Sequence, residues 1–170
     1  MTGAASNPTR DAIVSAFNRL VLARRQARPP IAHLLREAGV ARSTLYKHFD
    51  DRDSLLLEAM GGPLSIIATA ITASESNNAL VTLLDHFWEQ RRSAPDVFNG
   101  PFAARLVRAL AERIVAETPE LERSDAIRIA DTQIAFIRLW LSGETPGPAP
   151  TLAAKMIASA RAQRAALQGL

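Results

Sequence analysis

Residues 30–49 read PIAHLLREAGVARSTLYKHF. The stretch divides at Gly39-Val40-Ala41 into two short helical segments, about 30–38 and 42–49. Glycine adopts the left-handed conformation that closes a helix at little cost, so Gly39 ends the first segment and permits a sharp turn. In the second segment Leu45 and Phe49, four residues apart, share one face, while Arg42, Ser43, Tyr46 and Lys47 project elsewhere. Val40 and Leu45 pin the two helices at an angle. The result is a helix, a tight turn, and a polar helix too short to be stable alone.

This is the arrangement in which one helix braces and the next is presented to the DNA major groove. Short helix pairs joined by glycine also occur in proteins that never touch DNA, so the shape alone leaves function open. Charge narrows it. Residues 10–48 hold eight Lys/Arg (Arg10, Arg19, Arg24, Arg25, Arg28, Arg36, Arg42, Lys47) against two acids, Asp11 and Glu37. From residue 61 onward there are eleven charges of each sign, so the positive field sits on the first part of the chain. A polyanion would meet it there; a solvated basic face is the plain alternative.

Working outward, apolar residues recur at helical spacing almost throughout, which predicts an all-α protein of about nine helices. A first helix starts near Asn7 with Pro8 in its first turn, buries Ile13, Phe17, Leu20 and Val21, and ends before Pro29-Pro30. Asp50-Asp51 offers an N-cap for a fourth, beginning near Arg52 with Leu55, Leu56 and Ala59 inward. Gly61-Gly62-Pro63 is expected to break it and is a candidate hinge. Further helices are predicted at about 78–92, 102–117, 120–141 and 151–167, with loops at 93–101 and 142–150. The helix after Pro119 is apolar on two sides, with stripes at Ile127, Ala130, Ile134, Ile137, Leu141 and at Ile129, Phe136, Trp140. The final helix carries Met156, Ile157 and Ala160 among many alanines. Two such helices packed on a second copy would make a four-helix bundle about a two-fold axis, with Ile127, Ile134, Phe136, Ile137, Trp140, Met156, Ile157 and Ala160 at the interface. The alternative is that one chain covers both faces itself.

Absences set further bounds. The 170 residues contain no cysteine, which removes disulfide scaffolds, thiolate-ligated metals and thiol nucleophiles. Three histidines, His33, His48 and His86, leave little for a metal site. HExxH, ExxH and Walker patterns are missing, so no enzyme chemistry and no cofactor is expected. The N-terminus lacks the pattern of a signal peptide and no apolar run reaches membrane-spanning length, so a cytoplasmic location and no membrane partner are expected.

The run Arg36-Glu37-Ala38-Gly39-Val40-Ala41-Arg42-Ser43-Thr44-Leu45-Tyr46-Lys47-His48-Phe49, with Asp50-Asp51-Arg52-Asp53-Ser54-Leu55 after it, resembles the N-terminal domain of the TetR family of transcriptional regulators. The resemblance covers roughly residues 8–60. It implies a three-helix DNA-binding domain at 1–50 and a helical ligand-binding and dimerisation domain at 51–170. It further implies a homodimer on a palindromic double-stranded operator, a repressor role and release by a small-molecule effector. Arg42 and Ser43 match positions that read base edges, and arginine suits guanine O6 and N7. Lys47 faces the same groove. Thr44, Tyr46 and His48 match phosphate-binding positions, and Arg52 matches the basic residue of the same clamp. Tyr46 has a competing place in the small domain's core, and His48 one at a solvated helix end.

The chain departs from the family where Pro29-Pro30 replaces a capping Ser or Thr, and where Leu34-Leu35 replaces an aliphatic residue followed by alanine. The first puts one phosphate contact in doubt, and the second implies altered packing. In the larger domain Phe87, Trp88, Phe98, Phe102 and Leu106 are candidates to line an apolar cavity, with Arg91 or Arg105 able to meet an anionic group. Ordinary core is the competing reading for all of them. The alternative for the whole chain is a helical ligand-binding or interaction module that keeps the helix-turn-helix only as scaffold.

Overall fold

The computed structural model describes residues 7–24, 29–73, 78–92 and 97–168, without the side chains of 21–24 and 168. Within them lie nine α-helices: α1 Pro8–Arg24, α2 Ile31–Ala38, α3 Arg42–His48, α4 Arg52–Ala59, α5 Gly61–Thr72, α6 Asn78–Glu89, α7 Gly100–Glu117, α8 Arg123–Leu141 and α9 Ala149–Gln168. No strand occurs among the described residues. The chain forms two compact units, Met1–Met60 and Gly61–Leu170. The first extends past the expected boundary at residue 50 because α4 packs on α1 and contributes Leu55 and Leu56 to its core.

Unit 1 is built around Ile13, Ala16, Phe17, Leu20, Leu34, Leu45, Phe49, Leu55 and Leu56, all buried. Burying each large side chain contributes roughly 1.5–3 kcal/mol, which is how an eight-residue α2 and a seven-residue α3 persist. Gly39 caps α2 at φ 65°, in the left-handed region, and the Val40 N–H donates to Leu35 O at 3.1 Å. Asp51 caps α4, accepting from the Ser54 N–H and, at 2.7 Å, from the Ser54 hydroxyl. Leu34 is buried and Leu35 half-buried. The side chains of Val21 and Arg24, and the whole of Arg25 and Arg28, lie outside the described residues.

Unit 2 contains α5 to α9, with α7 packed on α8 and on α5, and α9 lying against α5, α6 and α8. The helix break falls at Met60, and Gly61, Gly62 and Pro63 form the first turn of α5. Arg164 of α9 donates Nη2 to Ile71 O (3.0 Å) and Nη1 to Thr72 O (3.2 Å), placing a cation on the C-terminal carbonyls of α5. The α8–α9 link is held by the Trp140 Nε1–H donating to Gly147 O at 2.8 Å. α8 starts at Arg123, later than the expected residue 120, because Leu121 N–H turns back to Thr118 O at 3.0 Å and Glu122 takes the extended cap conformation. α7 starts earlier than expected, at Gly100, whose φ of 64° turns the chain into the helix.

Candidate nucleic-acid interface

Helix α3 has one buried residue, Leu45, and it is followed by buried Phe49; each is 3% exposed. These two seat the helix, and the rest of its surface faces outward. Arg42, Ser43, Tyr46 and Lys47 are exposed, while Thr44 and His48 are half-buried. The Arg42 guanidinium lies 5.7 Å from the Tyr46 ring centroid, one helical turn away. Tyr46 is 42% exposed, the only large hydrophobic side chain so exposed among the described residues. Tyr46 is thus a surface side chain and its core alternative is set aside.

The helix termini here are chemically unusual. α2 is capped by Pro30 and α3 by Ala41, and neither has a side-chain acceptor for the first N–H groups. This agrees with the departure noted at Pro29-Pro30. In α2 the His33 N–H turns back to Pro30 O at 3.0 Å, and the helix start is otherwise without a side-chain cap.

Arg52 opens α4 and donates from Nη2 to Pro29 O at 2.6 Å. It therefore joins the start of α4 to the residues that lead into α2, while its side chain stays exposed. Arg10 makes several contacts. From α1 it donates Nε to Glu58 Oε1 (3.1 Å), Nη2 to Glu58 Oε2 (2.9 Å) and Nη1 to His48 O (3.3 Å). Its guanidinium also sits 4.7 Å from the Phe49 ring centroid. One cation thereby ties α1 to α4 and to the C-terminal carbonyl of α3. The Glu58 hydrogen bond holds the Arg10 guanidinium above its ordinary pKa, with the Glu58 and Asp11 charges acting the same way and burial opposing. Sequence reading counted Arg10 only as one basic residue among eight, since its partners lie far along the chain.

A family model described as bacterial regulatory proteins, tetR family, matches residues 30–59, which span α2, α3 and α4. Over those residues the chain resembles the TetR family. It is a DNA-binding transcriptional regulator carrying the helix-turn-helix of that family at its N-terminus. Among curated proteins none matches the chain significantly. The match ends at residue 59, so unit 2 is read from its own residues. Among the described residues no single helix is long and apolar enough to cross a membrane, and no His/Asp/Glu cluster is arranged to hold a metal.

In unit 2 several of the ligand candidates make aromatic contacts. Phe87 meets Phe98 edge-on at 5.3 Å, and Trp88 meets Trp140 at 4.8 Å. Arg91 covers the Trp88 ring at 4.2 Å and donates Nη1 to Trp88 O at 2.8 Å. Phe98, Phe102 and Leu106 are buried core. A cleft of about 370 Å³ lies elsewhere in the unit, lined by Thr118, Glu120, Asp125, Arg161, Arg164 and their neighbours.

The dimer candidates divide. Ile134, Ile137, Trp140, Met156 and Ala160 are buried within the single chain, where α8 packs with α6, α7 and α9. Ile127, Phe136 and Ile157 are half-buried and keep part of their apolar surface outward.

Proposed function

We propose that the chain binds a palindromic operator as a homodimer in the cytoplasm, represses transcription there, and is released by a small-molecule effector. The observation that carries this reading is the outward face of α3. Arg42, Ser43 and Lys47 are presented on a helix whose other side is locked by Leu45 and Phe49. Arg42 and Lys47 supply donors for base edges, with Arg42 suited to guanine. Ser43 adds a hydroxyl donor and acceptor. Thr44, Tyr46, His48 and Arg52 surround them and act on phosphates, fixing register without reading sequence. The uncapped amides of α2 add further phosphate donors.

Dimerisation is supported by the half-buried Ile127, Phe136 and Ile157 on the last two helices. A two-fold pair of heads demands a two-fold DNA site. An effector acts if it favours one arrangement of the heads, and a coupling of about 1–3 kcal/mol between effector and operator suffices.

The test is binding of the purified chain to the DNA upstream of its own gene, against random DNA, across a salt series. Several phosphate contacts predict log K falling by ~0.9 per contact for each log unit of salt. A tight, salt-steep preference for the upstream fragment supports the reading. Flat salt dependence with no preference favours the scaffold-only alternative.

A further inference from the structure

The second apolar stripe of α8 runs Ile129, Phe136 and Trp140, and the position that completes its helical spacing is Gln133. Gln133 is fully buried, at 0% exposure. Neither its Nε2 nor its Oε1 has a hydrogen-bond partner among the described residues. The helices packed on α8 are α7, α9 and, less extensively, α6. Their buried positions are apolar, including Leu106, Leu110, Leu84 and Met156. Backbone groups of those helices are committed to their own ladders.

A buried amide with no partner destabilises the fold relative to an apolar side chain of the same shape, since donor and acceptor both lose water. A trapped water answers this poorly. Buried waters make about three hydrogen bonds, and the described buried side chains of α6, α7 and α9 add no polar partner to the two atoms of the amide. A molecule that brings its own apolar body and one matching polar group satisfies both the amide and the walls.

We propose that Gln133 is the polar anchor of the effector site. The effector is then a neutral, mainly apolar molecule carrying a hydrogen-bond donor and acceptor side by side, as in a carboxamide or lactam. The Gln133 side chain presents N–H and C=O next to each other, so a second amide pairs with it through two parallel hydrogen bonds. An ionised head group is disfavoured, since the buried polar residues of unit 2 among those described, Gln90, Thr118 and Gln133, carry no charge. The inference rests on the reading that a small molecule acts on this regulator.

The experiment uses the full chain, with Gln133→Leu and Gln133→Met as variants, and follows thermal unfolding without DNA. The probes are benzamide and, as the same body without an amide, toluene, at equal millimolar concentration. Without probe, both variants are expected to unfold at least about 2–4 °C above the natural chain, because the orphaned amide is gone. Benzamide is expected to raise the midpoint of the natural chain and to bind both variants at least about tenfold more weakly, whereas toluene does not distinguish the three. Variants that unfold below the natural chain overturn the proposal, because the amide then already has a partner. So does benzamide that shifts all three proteins equally or none of them. DNA release is measured separately. Gln133-dependent benzamide binding without release keeps the site and removes the effector reading; a molecule that releases the natural chain and Gln133→Leu alike keeps that reading and removes the site.

Discussion

Replacing Arg10 by methionine keeps the aliphatic stem and helix propensity while deleting the cation. Three interactions go with it. The Glu58 pair is partly solvated, with side-chain exposures of 39% and 43%, and is worth at most about 1 kcal/mol. The Nη1 bond to His48 O is long at 3.3 Å and part-buried, and contributes about 0.5–1 kcal/mol. The guanidinium at 4.7 Å over Phe49 adds roughly 0.5–1 kcal/mol. All three share one group and are not additive, so the expected loss is about 1–2 kcal/mol. Urea unfolding of Arg10→Met should show a lower midpoint at unchanged slope. Arg10→Lys should recover only part of it, because an ammonium cannot engage two carboxylate oxygens and a carbonyl in one plane. The guanidinium pKa is raised, so this contribution is complete below its ordinary value and is lost only as pH rises through the higher folded value, far above neutrality. Since Arg10 holds the last carbonyl of α3, specific DNA binding should weaken more than random binding. An unchanged urea midpoint together with unchanged specific affinity refutes the reasoning.

Three other outcomes are expected. Arg42→Ala should cost on the order of 1–3 kcal/mol on the specific site and relax preference at one or two base positions, as read by competition against single-base variants; equal loss on random DNA counts against base reading. Arg52→Ala should weaken specific and random binding alike and reduce the salt slope by ~0.9 per phosphate contact removed, and an unchanged slope excludes a phosphate role. Asp51→Ala removes the acceptor for the Ser54 amide and hydroxyl and should lower stability by about 1 kcal/mol in chemical denaturation.

The first unit was legible because its boundaries are written in residues with strong backbone preferences. Pro29-Pro30, Gly39 and Asp51 fix where helices begin and end, and Leu45 with Phe49 fixes which side of α3 turns in. The second unit was legible as helices but less so as surfaces. Apolar spacing on α8 announced two faces, yet it does not tell whether a neighbour in the same chain covers them; α6, α7 and α9 pack on α8, and Ile134, Ile137 and Trp140 are buried. Likewise, spacing placed Trp88 and Trp140 on helical faces without telling that they meet each other. Gln133 stands in the stripe between Ile129 and Phe136, and its polarity hid it from a reading that followed apolar residues. Arg10 escaped for another reason: its partner Glu58 is 48 residues away, beyond any local pattern.

The contact between α6 and α8 gives the molecule a built-in optical gauge. The chain has two tryptophans, and their rings lie 4.8 Å apart with planes inclined by 34°. Indole transition dipoles at that separation and tilt mix, so native protein should display an exciton couplet in its far-ultraviolet circular dichroism. Phenylalanine at either position abolishes the couplet without changing helix content, and any rearrangement that parts α6 from α8 extinguishes it in the unmodified chain.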